Sequence, residues 1–134
     1  MRTSIISSPM SSIGIPKEIK PDELRVAITP DGVRDLVTQG LEVRVENGAG
    51  EGAGITDKSF SKAGALIVNR EEAWAAHLIV KVKEPQEEEF KLLREDMILF
   101  TYLHLAAYPK VGEALLSAGT TGIGFVENVA KKYF

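Results

Sequence analysis

The sequence predicts a three-layer α/β domain on a mainly parallel sheet of about six strands. Two observations carry that expectation. Short apolar runs of strand length recur, such as Leu78-Ile79-Val80-Lys81-Val82 and Met97-Ile98-Leu99-Phe100. They alternate with segments of helical spacing, and continuous apolar strands of this kind belong to parallel sheets covered on both faces by helices. The length of 134 residues fits one domain, which buries roughly two-thirds of its unfolded surface without staples.

Taken in order, Ile13-Gly14-Ile15-Pro16 reads as a short buried strand stopped by proline. Lys17 to Ile28 is a polar loop. Thr29-Pro30 starts a helix, with Thr29 as cap and Pro30 in the first helical position. Val33, Leu36 and Val37 follow at helical spacing, and Gly40 closes the helix. Leu41 to Val45 alternates as a strand, and Asn47 to Gly54 is a glycine loop. Thr56 or Asp57 caps a short helix ending near Gly64, Ala65 to Val68 is a strand, and Glu71 to Ala76 a short helix with Trp74. Leu78 to Val82 is a strand halted by Glu84-Pro85, and Glu87 to Arg94 a short helix. Ile98 to Thr101 is a strand. Pro109 to Ala118 is a helix with Val111, Leu115 and Ala118 inward, and Thr121 to Val126 is the last strand. Right-handed crossovers then give a Rossmann-like or flavodoxin-like layering.

Composition excludes several classes of function. The net charge is −3, from 16 basic and 19 acidic residues, so neither nucleic acid nor an anionic membrane is an expected partner. With no cysteine, disulfides, thiolate catalysis and cysteine metal sites are excluded. His77 and His104, 27 positions apart, form no metal motif. No apolar run approaches the roughly 20 residues of a membrane span. Residues 1–12 are read as a flexible, Ser-rich extension, too weakly apolar for a secretory signal. The expected location is the cytoplasm.

Three residues stand where an α/β sheet puts reactive groups, past the C-terminal ends of strands. Arg25 follows the first strand, Lys83 ends Leu78–Val82, and His104 follows Ile98–Thr101. Two cations and an imidazole suit a small carboxylate with a reacting carbonyl or amine. Each has a bland reading as well. Arg25 can pair with Glu23 or Asp22 at the surface. Lys81 and Lys83, sharing one side of an extended segment, can face water. His104 can be a structural histidine; Leu103 and Leu105 beside it predict partial burial, which would keep the ring neutral. His77 is given no chemical role. The loop Gly48-Ala49-Gly50-Glu51-Gly52-Ala53-Gly54 satisfies the looser dinucleotide fingerprint G-x-G-x-x-A. It follows the second strand, carries Glu51 and lacks the acidic residue expected about twenty positions on. It is therefore read as a tight-turn loop.

These segments, with their order and spacing, are familiar. Ile13-Gly14-Ile15-Pro16-Lys17-Glu18, Arg25-Val26-Ala27-Ile28-Thr29-Pro30, Gly48-Ala49-Gly50-Glu51-Gly52, Lys81-Val82-Lys83-Glu84-Pro85 and Leu99-Phe100-Thr101-Tyr102-Leu103-His104-Leu105-Ala106-Ala107 resemble the N-terminal, substrate-binding domain of the alanine dehydrogenase/pyridine nucleotide transhydrogenase family. The resemblance runs from Ile13 to about Gly124. His104 points to the alanine dehydrogenase branch, because the transhydrogenase branch lacks that histidine. The resemblance implies that Arg25 and Lys83 hold a 2-oxo acid or amino acid, pyruvate or L-alanine, and that His104 is the acid/base group.

It also implies NAD as cofactor of the complete enzyme, bound by a further domain that no segment of these 134 residues matches. The chain is therefore expected to carry the substrate half of a site, to bind neither NAD nor a metal alone, and not to catalyse the reaction alone. Residues 13–127 are taken as the domain and 128–134 as a divergent tail. The alternatives are a free-standing 2-oxo acid or amino acid binding or regulatory domain, and a truncated product without function. Self-association, or pairing with a chain that carries the NAD domain, is the expected partnership.

Overall fold

A computed structural model describes residues 12–124. The expected extension falls almost wholly outside the described residues, and the tail entirely so. Among the described residues are six strands: β1 (Ser12–Ile15), β2 (Glu42–Glu46), β3 (Leu66–Val68), β4 (Leu78–Lys83), β5 (Ile98–Tyr102) and β6 (Thr121–Gly124). The α-helices are α1 (Pro30–Thr38), α2 (Asp57–Ala63), α3 (Arg70–Trp74) and α4 (Pro109–Ala118). All strands pair in parallel, in the order β3-β2-β1-β4-β5-β6. This is the doubly wound order of Rossmann domains, and it reverses direction between β1 and β4, where a crevice opens beyond the strand ends.

Alternation divides the side chains between two cores. Ile13, Ile15, Val43 and Val45 pack with Val33 of α1 and with Phe60 and Ala63 of α2. Ile79 and Leu99 pack with Trp74 of α3, Met97, and Val111 and Leu115 of α4. The caps expected from sequence are in place: Thr29 accepts from the Gly32 N–H and Thr56 from the Ser59 N–H. At the C-terminal end of α3, Arg94 donates to the carbonyls of Trp74, Ala75 and Ala76. A cation there satisfies carbonyls the helix leaves open.

Three expectations are corrected. β1 begins at Ser12, inside the extension assigned from sequence; its hydroxyl accepts the His77 N–H. The short helix read over Glu87–Arg94 is a 3-10 helix that ends at Leu92. Gln86 and Glu89 cap each other across it, and Leu93 is already extended so that the chain can reach β5. Lys81 does not face water. It lies two positions after buried Ile79 and is itself 1% exposed, as strand alternation requires.

Gly14 lets α3 lie against the sheet. A Cβ there would sit 1.9 Å from the Ala73 carbonyl oxygen, and backbone cannot yield as a flexible side chain can. Gly14→Ala is therefore expected to destabilise by about 1–3 kcal/mol, the range for overpacking. The check is a lower urea midpoint with unchanged m value; an unchanged midpoint would mean that α3 retreats freely.

Candidate functional site

The crevice is organised by carboxylates that the sequence reading passed over. Glu18, just past β1, is 1% exposed. Its oxygens accept from Lys81 Nζ at 2.9 Å, from the Val82 N–H at 2.8 Å and from the Lys83 N–H at 3.1 Å. The β4–β5 register shifts between Val80 and Lys83, and Glu18 takes up amide groups at that irregularity. A carboxylate with three donors is satisfied, and so is tolerated in the interior. Glu89 is the second carboxylate facing Lys81, at 3.6 Å.

Arg25 stands in the loop after β1, its side chain 64% exposed. Glu23, only 5% exposed, grips it. Oε1 accepts from Nη2 at 2.7 Å, and Oε2 accepts from Nε at 2.8 Å and from the Arg25 backbone N–H at 2.9 Å. The bland pairing considered for Arg25 is thus present, and it leaves the guanidinium exposed toward the crevice. The Arg25 side chain pulls the Glu23 pKa down to about 2, against the opposing effect of burial, and the Lys83 charge adds to the lowering. Of Lys81 and Lys83, expected on one side, Lys81 has its ammonium against Glu18 and Glu89, and Lys83 stands opposite Tyr102 at the end of β4.

Arg25 also borders a cavity of about 270 Å³ with Val80, Lys81, Val82 and Tyr102. Tyr102 lies opposite Lys83 in the β4–β5 ladder, and its ring stacks on His104 with centroids 6.0 Å apart. His104 is 43% exposed, which corrects the expected burial. The reason is local. His104 has φ +51°, a left-handed conformation that turns the chain after β5. Leu103 is left in the core, while His104 and Leu105 face outward. Behind the imidazole, 3.6 Å from Nδ1, lies Oε2 of Glu84, a carboxylate 2% exposed whose other oxygen accepts from Lys20. Lys20 in turn reaches the Tyr108 hydroxyl at 3.3 Å and lies over its ring. The Glu84 bond raises the Lys20 pKa above its ordinary 10.5.

The glycine loop after β2 has a structural task. The Gly48 N–H donates to Asp57 Oδ1 at 2.9 Å, so one of its amides already serves a carboxylate. A Cβ on Gly52 would come within 2.9 Å of the Leu24 carbonyl oxygen. The loop thus backs the segment that carries Glu23 and Arg25. Among the described residues no group of three or more His, Cys, Asp or Glu could hold a metal ion, and no helix is long and apolar enough to cross a membrane.

Fold and crevice together define a doubly wound α/β domain with cations, carboxylates and an imidazole at its topological switch point. The chain belongs to the alanine dehydrogenase/PNT N-terminal domain family, whose sequence model matches residues 14–132. That match runs past Gly124, where the recognisable segments end. The chain is 52% identical over 115 residues to the alanine dehydrogenase of Mycolicibacterium smegmatis, covering 84% of this chain and 31% of that protein. A solved L-alanine dehydrogenase superposes with a TM-score of 0.83 at 46% identity, over 84% of this chain and 32% of the other. The transhydrogenase from Sinorhizobium meliloti gives 0.80 at 32% identity, over 84% and 34%. The chain thus spans about a third of the length of the relatives it matches.

The buried cluster yields a test. Burial raises the Glu89 pKa above its ordinary 4.5, against the pull of Lys81. A folded pKa above the unfolded one means that the native state binds the extra proton. Stability then falls as pH rises from 4.5 through the raised value. Glu89→Gln is expected to be more stable than wild type near neutral pH and to flatten this slope in denaturation midpoints. A variant less stable at neutral pH would show the ionised carboxylate stabilised by Lys81.

Proposed function

We propose that the chain is the substrate-binding domain of an NAD-dependent L-alanine dehydrogenase. The observation that supports this reading is Tyr102, which borders one cavity with Arg25, lies opposite Lys83 in the ladder and stacks on His104. In this reading Arg25 grips the substrate carboxylate through the guanidinium edge that Glu23 leaves open. Lys83 adds a point charge by the carboxylate or the carbonyl oxygen. His104 is the acid/base group. The Glu84 carboxylate behind Nδ1 favours a proton on that nitrogen, which leaves Nε2 to take or give one as the substrate carbon passes between amine, carbinolamine and ketone.

The complete reaction would convert L-alanine, oxidised NAD and water to pyruvate, ammonium, NADH and a proton, with NAD supplying the hydride acceptor. The residues described do not fit a dinucleotide. The first βα turn reads Pro16-Lys17-Glu18 rather than glycines, and the glycine loop has Asp57 on its Gly48 amide. We therefore assign this chain substrate binding and proton transfer, and assign NAD to the part of the relatives' length that the chain does not span. The purified 134-residue chain is expected to form no NADH from L-alanine and NAD; formation of NADH would reassign the dinucleotide to this chain.

Titrating pyruvate and L-alanine into the purified chain, with the His104 ring signals followed by NMR, tests the reading. Saturable shifts that vanish in Arg25→Ala are expected. Silence at high ligand concentration would leave a scaffold without a formed half-site.

A further inference from the structure

We propose that Glu23 is the positioning residue of this anion site. It holds the Arg25 guanidinium by its Nε–Nη2 edge, so that an incoming carboxylate meets the Nη1–Nη2 edge. The inference rests on the reading of the crevice as a carboxylate site and adds a residue to it.

The geometry distinguishes an anchor from a mere surface partner. A guanidinium has five N–H donors. Glu23 engages one on Nε and one on Nη2, at 2.8 and 2.7 Å. Both N–H groups of Nη1 and one of Nη2 remain, which is the fork that matches a second carboxylate. The same Glu23 oxygen that binds Nε also takes the Arg25 backbone N–H, so one carboxylate fixes both the root and the head of the side chain. In this pair the carboxylate is the buried member and the guanidinium the exposed one.

Glu23 is itself fixed by its loop. Its N–H closes a turn onto the Lys20 carbonyl at 3.0 Å, and Asp22 takes the left-handed conformation, φ +68°, that the turn requires. Close packing of Gly52 against Leu24 supports the next residue. The charge balance also suits a monoanion. Glu18 is committed to Lys81 and to backbone. That leaves Arg25 and Lys83 against Glu23, with one positive charge in excess.

The opposite role, a competitor that occupies Arg25 and must be displaced, predicts the opposite sign. Two readouts decide, both on wild type, Glu23→Gln and Glu23→Asp. The first is solvent exchange of the Arg25 Nε–H in ligand-free protein by nitrogen-15 NMR. The second is pyruvate affinity. A positioning role predicts slow Nε–H exchange in wild type that becomes fast in Glu23→Gln. It also predicts pyruvate binding about tenfold weaker in Glu23→Gln, the worth of one charge-assisted hydrogen bond, with partial recovery in Glu23→Asp. Unchanged exchange in Glu23→Gln overturns the proposal, as does pyruvate binding that is equal or tighter. Failure of pyruvate to bind wild type sinks the carboxylate reading instead, and the exchange comparison still decides whether Glu23 holds Arg25.

Discussion

The Glu18 carboxylate is the constraint on which the rest of the crevice depends. A parallel sheet that reverses direction must part its strands beyond the switch point, and there β1 and β4 have no further ladder to satisfy their amides. Glu18 fills that gap with one side chain. It accepts the Val82 and Lys83 N–H groups and the Lys81 ammonium, and so converts the frayed end of β4 into a defined one. Lys83 inherits its position from this, and so does Glu84, which follows it and reaches both Lys20 and the His104 ring.

Around that anchor the site follows a pattern in which carboxylates with little exposed surface hold cations and the ring, Lys81 inside the fold and Arg25, Lys20 and His104 nearer the surface. Glu18 holds Lys81, Glu23 holds Arg25, and Glu84 lies between Lys20 and His104. Glu18 and Glu23 also take backbone N–H groups, which fixes them to the main chain. Arg25 and Lys20 carry their charge toward solvent, whereas Lys81 keeps its charge inside. A site of this kind is organised before ligand arrives, which lowers the ordering cost of binding.

Much of the fold was legible in the sequence because its signals are local. Apolar runs marked the strands, Thr29 and Thr56 marked helix starts, and glycines marked the ends. Arg25, Lys83 and His104 were legible because strand ends are where such groups gather. Their partners were not, since the bonds from Glu18 span 63 to 65 positions and nothing near Glu18 in the chain announces them. One signal was available and passed over: Lys81 occupies a core position in the alternation of β4, and a lysine in a core slot requires a buried acid. The exposure of His104 was hidden for a different reason. Its neighbours are apolar, but a single left-handed residue sends Leu103 and the ring in different directions.

The reach of the Glu18–Lys81 pair has a consequence for how the chain matures. β1 is a central strand, yet its central neighbour β4 is made only after β2 and β3. At roughly 5–20 residues per second of synthesis, Lys81 leaves the ribosome some seconds after Glu18, 63 residues behind it. Through that interval Glu18 has no Lys81 to pair with, and β1 has β2 but not β4 available as a neighbour. The order of synthesis thus leaves the centre of this sheet open until β4 is made, and β5 and β6 can add only after it.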